Sequence, residues 1–569
     1  MNTRAAQTPA PADYPDAHPE TPHPDASAGS LYLNARIYTA DAAFSQASVL
    51  AVRGGSIVYA GDDRREGAAR LGPGAREVDL QGKTVLPGLA DSHLHFLLQG
   101  QRLAEIDIHL KPKEEILRLV REEARRLGPG RWVVGRGWNH EIWADNRWPD
   151  RAELDAAAPH NPVALTRADA HSVWASSLAL AEAGFDDSSP DMPGGEILRR
   201  PDGTLRGILV DTPIFRIWQA QPAPGPEQKL GYYRKAEAEL FSLGVTSVGD
   251  AWQTLAEHEN LKNIYASGGL KIRVHGMLGS QDPGDRARLL EAEGRDAVRP
   301  LSGLFGGRLS LRAYKAVLDG SLGSRSAWLS RDYADRPGHR GSGRYTDQEL
   351  CELLRPALER GFQLCLHAIG DAAVEQAMRV FESLAAEGPP GFFRQGRHRI
   401  EHFQSAAPGL VARALALGLI PSMQPTHQAS DVKMAELRLG PDLLRISYPW
   451  RQVLDAGGLI AAGSDSPMEE ASPFLGLHSA LARLPFSALS GSREAAEALR
   501  MSRREALLSY TLWAAYAAFS EQLTGSLEVG KAADFIVLDR DVMACPVPEI
   551  PGARVLLTVL DGREVYSAS

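Results

Sequence analysis

The middle of the chain alternates short apolar segments with longer amphipathic ones, and this alternation constrains the fold most. In the clearest unit, residues 346–349 (TDQE) form a capping-box pattern ahead of leucines at helical spacing from Leu350 to Leu358. The apolar run 363–370 (QLCLHAIG) then has the pattern of a buried strand, and helical spacing returns after it. Helix, strand and helix in this order are typical of a parallel sheet with crossover helices.

Eight apolar segments have the character of such strands. They are VLPGLADSHLHF, VTSVGD, LKIRVHGML, LRAYKAVLDG, FQLCLHAIGD, HRIEHFQ, IPSMQP and LIAAGSDSP. Parallel strands in this number close into a barrel, so we predict an α/β protein with a TIM-type (β/α)8 barrel over residues 87–519. Active sites of such barrels lie at the C-terminal ends of the strands.

Residues from about 103 to 239 interrupt this rhythm between the first and second candidate strands, and we predict an inserted subdomain there. The stretch holds six of the ten tryptophans, namely Trp132, Trp138, Trp143, Trp148, Trp174 and Trp218. Because the insertion leaves from the C-terminal end of strand 1, the subdomain can cover the active-site face as a lid. The alternative is that the tryptophans form only the core of the subdomain itself.

The two ends of the chain share a different, strand-rich pattern. Residues 31–86 and 520–569 contain short strand-like segments separated by turns such as Asp561-Gly562. We predict that both ends form one small composite β-sandwich domain, with the barrel inserted between them. Residues 1–30 contain six prolines and few large apolar side chains, so we predict a disordered tail.

Charge and cysteine content narrow the range of partners. The chain has 62 basic and 71 acidic residues and a net charge of −9, so nucleic acid and anionic membranes are poor partners. It contains neither an apolar run of the length of a membrane-spanning helix nor the pattern of a signal peptide. Its cysteines, Cys351, Cys365 and Cys545, form no CxxC pair, which indicates a reducing compartment. We expect a cytoplasmic protein that acts on a small molecule, with a homodimer as the default assembly.

The first candidate strand ends in a pair of histidines, within Asp91-Ser92-His93-Leu94-His95. Because side chains alternate along a strand, His93 and His95 point the same way with Cα atoms about 7 Å apart. This spacing lets both imidazoles bind one metal ion. Paired histidines are also common on protein surfaces, so the pair gains meaning only from residues farther along the chain.

Polar side chains also end four later strands. Lys315, His367, His402 and Asp465 each lie within an apolar run, where a charge or an imidazole is costly without a partner. Any one of them alone can be a satisfied core residue, but together with the histidine pair they indicate one metal centre. Imidazoles with a carboxylate are the ligands that zinc prefers, with manganese, iron or nickel as alternatives. Asp465 suits the general base that accepts a proton from a metal-activated water.

The order HxH, Lys, His, His, Asp along eight strands resembles the amidohydrolase superfamily, and most closely its third amidohydrolase domain family. The segments that carry this likeness include LPGLADSHLHF, KAVLDGSLGSRSAW, LCLHAIGDAAVEQAM, RHRIEHFQ, AAGSDSP and GSLEVGKAADFIVLD. The likeness extends over nearly the whole folded chain, from about residue 31 to 567.

The resemblance implies a complete set of ligands for one or two divalent metals per chain. The first metal would be held by His93, His95 and Asp465, and the second by His367 and His402. A carboxylated Lys315 would bridge the two ions. If this lysine is unmodified, a single-metal site is expected instead.

Four further residues are predicted to contact the substrate, namely Arg325, Asp319, His171 and His427. Arg325 and Asp319 follow strand 4, where the guanidinium can bind a substrate carboxylate or carbonyl, and a salt bridge within the loop is the alternative. His171, in RADAHSVW, resembles the family's aspartate-glycine-histidine segment, with alanine in place of the glycine. His427 follows strand 7 and can reach the pocket or simply pack, and the same alternatives hold for His275.

The ligand set and the family resemblance together predict a metal-dependent hydrolase that cleaves a non-peptide carbon–nitrogen bond, in an amide or a formamide. A metal-activated hydroxide would attack the carbonyl, with Asp465 as general base and then general acid. The alternatives are ester or lactone hydrolysis at the same site, or a non-catalytic binding protein that retains the barrel. The substrate is not assigned, because specificity lies in the loops and in the inserted subdomain.

Overall fold

The computed structural model describes residues 29–109, 111–168, 172–192, 195–279, 298–389, 391–489 and 492–568. The helix–strand–helix unit in the middle of the chain is present as predicted. Thr346 caps the helix Asp347–Glu359 in a capping box with Glu349, and the leucines of this helix are buried. The strand Gln363–Ala368 and the helix Asp371–Glu387 follow.

All eight candidate strands are present and run parallel in one sheet, to which the short strand Leu301–Gly303 adds one antiparallel pairing. In chain order they are β1 Leu89–Leu94, β2 Val245–Gln253, β3 Arg273–Leu278, β4 Leu309–Val317, β5 Gln363–Ala368, β6 Arg399–His402, β7 Ile420–Met423 and β8 Ala461–Ala462. Each strand pairs in parallel with the next one in chain order. This is a TIM-like barrel of the α/β class, as the sequence predicts.

A seam of hydrogen bonds joins β1 to the segment that follows β8, at the two ends of the sheet order. The amide of Asp465 donates to the carbonyl of His93 at 2.6 Å. The Asp91 carboxylate accepts the amide of Ser464 at 3.0 Å and its hydroxyl at 2.5 Å. Gly463 lies so close to β1 that a Cβ there would stand 2.6 Å from the His93 nitrogen. The seam therefore fixes two segments that carry predicted metal ligands.

Helices separate the strands and bury their apolar faces in a large core, to which Leu354, Val374 and Val411 contribute from three helices and Leu366 from β5. The helices of this part of the chain, besides those already given, are Arg64–Leu71, Pro226–Ser242, Leu255–Ala266, Leu304–Gly307, Phe392–Gln395, Pro408–Ala416, Pro425–Arg438, Pro441–Arg445, Trp450–Asp455, Pro473–Ala482, Ser492–Ala498, Arg503–Ser509, Leu512–Ala517 and the 3-10 helix Val547–Gly552. Among the described residues, no helix combines the length and the apolar character needed to cross a bilayer.

Residues 97–236 form a second compact unit between β1 and β2, close to the predicted insertion at 103–239. Its sheet has the strand order Gly195–Arg199, Leu205–Asp211, Ser172–Ala175, Val163–Arg167, Val133–Trp138 and Ile106–Asp107. The helices that begin in or next to this unit are Phe96–Arg102, Lys113–Leu127, the 3-10 helix His140–Ile142, Arg151–Ala157, Ser177–Glu182, Ile214–Ala220 and Pro226–Ser242, the last of which extends beyond its boundary.

Four of its tryptophans pack together. Trp138 is fully buried, and its ring centroid lies 6.0 Å from those of Trp143 and Trp148 and 6.2 Å from that of Trp174. Trp218 is 43% exposed. The first four therefore act as a core of the unit itself, and the predicted lid stays a prediction.

Strands from both ends of the chain share one sheet, in the order Arg563–Ser567, Val555–Leu560, Phe535–Leu538, Thr84–Pro87, Arg36–Tyr38 and Gln46–Ala47. A second sheet has the order Ser56–Gly61, Val49–Arg53, Ser30–Leu33 and Arg76–Asp79. One hydrophobic cluster takes Leu50 from the second sheet and Val537 from the first. Both sheets belong to the same compact unit as the barrel, and the composite β-sandwich domain stays a prediction. Of the predicted disordered tail, only Gly29 and Ser30 lie among the described residues, and Ser30 begins a strand.

Candidate metal centre

Three buried side chains from three strand ends meet at one point of the barrel. His93 comes from β1, His402 ends β6, and Asp465 follows β8. Their ligand atoms all lie within 4.8 Å of one another. Because the carboxyl ends of parallel barrel strands share one mouth, residues far apart in the sequence converge there.

Two further predicted ligands border this trio. Nε2 of His95 lies 3.3 Å from Oδ1 of Asp465. The ring centroid of His367, near the end of β5, lies 4.5 Å from that of His402. The structure thus brings all four predicted histidine ligands and the aspartate into one neighbourhood.

Lys315 is buried within β4, at 4% exposure. Burial lowers its pKa, against the opposing effect of the carboxylates of Glu401 and Asp465. A lowered pKa favours the neutral amine, which is the form that reacts to give a carbamate. The environment of Lys315 therefore suits the predicted bridging role, which stays a prediction.

Two of the ligand candidates hold a left-handed backbone conformation. The φ angle is 70° at His402 and 61° at Asp465, and Phe403 continues the bend at 45°. For residues with a Cβ this conformation costs about 1–3 kcal/mol each, and it persists only where the surrounding structure imposes it. Strain of this kind concentrates at functional sites, which agrees with a site at these strand ends.

Two imidazoles of the centre each have Nδ1 within hydrogen-bond distance of an acceptor that lies outside the centre. Nδ1 of His93 lies 2.5 Å from Oε2 of Glu401, and Nδ1 of His402 lies 2.8 Å from Oε1 of Gln424. Burial lowers the pKa of His93 to about 4 and that of His402 well below its usual range, so both rings are neutral. With the Nδ1 proton donated outward, each ring presents the lone pair of Nε2 to the centre.

The lone pair of His93 faces the carboxylate of Asp465 at short range, and the imidazole of His95 lies beside it. Nε2 of His93 lies 3.5 Å and Nε2 of His95 lies 3.3 Å from the same oxygen, Oδ1 of Asp465. A carboxylate oxygen facing an imidazole lone pair at this distance is repelled unless a cation lies between them. The residues therefore fit a divalent metal, and nitrogen with carboxylate donors is a set that zinc accepts.

Asp319, predicted to contact the substrate, is fully buried and supports the loop after β4. Its Oδ1 lies 3.1 Å from Nδ1 of His367 and accepts the amide of Ile369 at 3.1 Å. Its Oδ2 accepts the amides of Gly370 at 2.8 Å and Trp328 at 3.0 Å. These contacts occupy the carboxylate and place Asp319 behind His367.

Arg325 forms the loop salt bridge that was the alternative to a substrate contact. Its Nη2 lies 2.7 Å from Oδ2 of Asp335, and both side chains are partly exposed. The neighbouring Ser324 is exposed and its hydroxyl lies 2.6 Å from that of Ser326.

His427 borders the metal centre. It lies in the first turn of the helix Pro425–Arg438, directly after β7. Its Nε2 lies 3.8 Å from Oδ2 of Asp465, and its ring stacks on that of His402 with centroids 5.9 Å apart. The structure thus places His427 within reach of a group bound at the centre.

The other two histidines differ from His427. His275 is buried in the first half of β3, with Nε2 3.2 Å from Oε1 of Gln363, and packs inside the barrel. His171 lies outside the described residues, so its predicted substrate contact stays a prediction.

The supporting residues Glu401, Gln424 and Asp91 were missed by the sequence reasoning. Glu401 lies in the apolar run RIEH and meets the criterion that singled out Lys315, a charge inside an apolar strand. Gln424 is neutral and carries no such signal. Asp91 lies two residues before His93 on the same face of β1, so alternation alone could have found it.

A parallel (β/α)8 barrel with histidines and a carboxylate gathered at its strand ends defines a class, the metal-dependent hydrolases. Residues 76–566 match the amidohydrolase family. Over 556 residues the chain is 31% identical to Protein LONG AFTER FAR-RED 3 of Arabidopsis thaliana, covering 96% of this chain and 93% of that protein. Over 547 residues it is 28% identical to the N-substituted formamide deformylase of Arthrobacter pascens, covering 94% and 97%.

A solved structure agrees with this grouping. An uncharacterized metal-dependent hydrolase from Pyrococcus furiosus has a TM-score of 0.73 and 28% sequence identity, and the match covers 90% of this chain and 100% of that one. The chain belongs to the amidohydrolase family. It is a metal-dependent hydrolase with a divalent metal as cofactor, which confirms the resemblance noted in the sequence.

Proposed function

We propose that this hydrolase cleaves a non-peptide carbon–nitrogen bond, in an amide or a formamide. The observation that carries the proposal is the position of Asp465, whose carboxylate lies 3.3 Å from His95, 3.5 Å from His93 and 3.8 Å from His427. A carboxylate so placed can move a proton between an attacking water and a departing nitrogen. Similarity to an N-substituted formamide deformylase over nearly the whole chain favours an amide-like substrate.

The proposed ligands lie at the strand ends. His93, His95 and Asp465 would hold one ion, and His367 and His402 would hold a second. A carboxylated Lys315 would lie between the two sets. The ligand atoms of His402, His93 and Asp465 lie within 4.8 Å of one another, so the two proposed sets adjoin, and we propose one or two ions per chain. Zinc is the proposed ion. When bound, it supplies a Lewis acid that polarises a carbonyl and activates water.

The residues of the chain supply proton transfer and orientation. Asp465 accepts the proton that the attacking water loses and delivers it to the nitrogen as the carbon–nitrogen bond breaks, so that the amine leaves neutral. His427, whose Nε2 lies 3.8 Å from Asp465, is proposed to bind the carbonyl oxygen of the substrate. His171 stays a proposed substrate contact, and Arg325 can act in this way only by leaving Asp335.

Replacing Asp465 with asparagine tests the proposed chemistry. Asparagine keeps the size of the side chain and removes the proton acceptor, so we expect kcat on a responsive amide to fall by about 100-fold or more. Metal content and thermal unfolding are measured on the same samples. Asp442→Asn, at an exposed carboxylate paired with Arg331, is the matched control and should keep wild-type turnover. Undiminished turnover by Asp465→Asn would contradict the mechanism.

The bond type is tested with pairs of compounds that differ only at the scissile bond. We expect turnover of the amide or formamide of each pair to exceed that of the matching ester or lactone once their intrinsic reactivities are divided out. The opposite order would assign the alternative, ester or lactone hydrolysis, to the same residues. Lack of turnover of every compound by metal-loaded protein would favour a binding protein.

The remaining proposals concern location and assembly. Cys351, Cys365 and Cys545 are free thiols, in keeping with a reducing, cytoplasmic location. A homodimer is proposed as the default for such an enzyme. Light scattering on purified protein measures its mass in solution, and elemental analysis identifies the metal.

A further inference from the structure

A buried ion pair lies inside the barrel, next to the metal ligands. Glu401, on β6, is 0% exposed, and Arg399, two residues earlier on the same strand, is 1% exposed. Nε of Arg399 lies 2.7 Å from Oε1 of Glu401, and Nη2 lies 3.0 Å from Oε2. Removing two charges from water is costly, and well-packed apolar side chains often replace such pairs without loss of stability. The pair therefore calls for an explanation other than stability.

Each member of the pair has further contacts. Oε2 of Glu401 lies 2.5 Å from Nδ1 of His93, across 308 residues of sequence. Nη2 of Arg399 donates to the carbonyl of Ser92 at 2.8 Å and to the hydroxyl of Ser422 at 2.7 Å. Arg399 thus connects β6 to β1 and β7, and the carboxylate of Glu401 contacts His93.

We propose that Glu401 is a positioning residue that sets the orientation and the donor strength of His93 toward the divalent metal, with Arg399 holding the Glu401 carboxylate in place. The inference rests on the proposed function, because it takes His93 to be a metal ligand. Accepting the Nδ1 proton fixes the tautomer that leaves Nε2 free, and an anionic acceptor makes the imidazole a stronger donor. His402 donates instead to the neutral amide of Gln424, so the two rings differ in the charge behind them.

This difference within the chain suggests the variants. Glu401→Gln offers His93 an amide oxygen, the same kind of acceptor that His402 has in Gln424, and so removes the charge while keeping the hydrogen bond. On its own it leaves Arg399 as an unpaired buried charge. The double variant Arg399→Met, Glu401→Gln removes both charges and is the main test, with Glu401→Gln as the second variant.

A second buried ion pair provides the matched control. Arg273 and Asp534 are 5% and 4% exposed and lie 2.7 Å apart, away from the predicted metal ligands. The double variant Arg273→Met, Asp534→Asn removes two buried charges in the same way. It reports what the loss of a buried pair does to the fold alone.

The experiment measures the affinity of full-length, metal-free protein for Zn²⁺ and for Co²⁺ by competition with a chelator, beside the unfolding midpoint. We expect both Glu401 variants to raise the dissociation constant about 10- to 100-fold, and the absorption spectrum of bound Co²⁺ to change. The control pair should leave affinity and spectrum as in the wild type, whatever its unfolding midpoint.

Two results would overturn the inference. Wild-type affinity in the Glu401 variants would show that the charge does not act on His93. Equal losses of affinity in the test and control pairs, in step with their loss of stability, would assign Arg399 and Glu401 a structural role only. Failure of the proposed metal site looks different, because the wild-type protein would then bind neither ion. Failure of the proposed bond specificity alone would appear in the turnover comparison and would leave the metal affinities of these variants unaffected.

Discussion

His398 lies in an apolar pocket just before β6. Its ring centroid lies 4.2 Å from that of Phe393 and 5.9 Å from that of Phe381, and its Nδ1 accepts the amide of Leu364 at 2.9 Å. Burial lowers the pKa of His398 to about 3. A depressed histidine pKa means that the folded state holds the neutral ring, while the unfolded chain takes up a proton near its ordinary pKa of about 6.5. The stability that this residue contributes is therefore present above about pH 6.5 and is lost as the pH falls toward 3.

Replacing His398 with glutamine tests this dependence. Glutamine keeps an acceptor for the amide of Leu364 and removes the titrating group. We expect the free energy of unfolding to fall less steeply between pH 6 and pH 4, by up to about 1.4 kcal/mol per pH unit, which is the value for one proton. Urea unfolding at several pH values measures the slope. A variant slope equal to that of the wild type would show that His398 is protonated in the folded state as readily as in the unfolded one.

At the scale of elements, the position of Asp465 depends on how a very short strand is held. β8 has only two residues, Ala461–Ala462, so its pairing with β7 supplies few hydrogen bonds. The Asp91 carboxylate, which accepts the amide and the hydroxyl of Ser464, supplies further bonds to β1. These bonds to β1 therefore hold the end of β8 in place, as the longer hydrogen-bond ladders hold the other strands.

Removing one hydroxyl from the seam should weaken both the fold and the site. Ser464→Ala deletes the 2.5 Å bond to Asp91, and a hydrogen bond to a charged group is worth about 1.5–3 kcal/mol. We expect the free energy of unfolding to fall by that amount and metal affinity to fall with it. Thr346→Ala, which removes a helix-capping hydroxyl, is the control and should cost about 1 kcal/mol while keeping metal affinity. Unchanged metal affinity in Ser464→Ala would contradict a role of the seam in placing Asp465.

At the scale of the whole molecule, the C-terminal strands are joined to the barrel where β1 and β3 begin. The strand Phe535–Leu538 pairs with Thr84–Pro87, the segment just before β1. Arg273, the first residue of β3, binds both Asp534 and Asp561 with its guanidinium. The last part of the chain is thus joined to the barrel both by a sheet and by a buried ion cluster.

Removing only Asp534 should lower the free energy of unfolding more than removing both Arg273 and Asp534. Asp534→Ala leaves Arg273 without its main buried partner, and we expect the free energy of unfolding to fall by about 3–5 kcal/mol. The double variant Arg273→Met, Asp534→Asn should lose clearly less, because no unpaired charge remains. Denaturant unfolding of both variants measures the difference. A larger loss in the double variant would mean that the pair itself stabilises the fold.

Much of the site could be predicted because barrel geometry is regular. Alternation along β1 was enough to place His93 and His95 on one side, and closure of eight parallel strands brings strand-end residues to one mouth whatever lies between them. Polar residues in apolar runs then marked His367, His402 and Asp465. The partners of Arg325 and His402 lacked such a signal, because the first lies in an irregular loop and the second is a neutral glutamine.

The sequence by itself determined the class of fold, the order of the strands and the identity of the residues at their ends, because hydrophobic periodicity and polar residues within apolar runs are local properties of the chain. Only the tertiary structure decided which nitrogen of each imidazole faces inward and how the barrel closes. Those outcomes depend on contacts such as that of His93 with Glu401, 308 residues apart, and on the stagger of strands around the barrel. No local pattern records which side chains the stagger brings together across the interior.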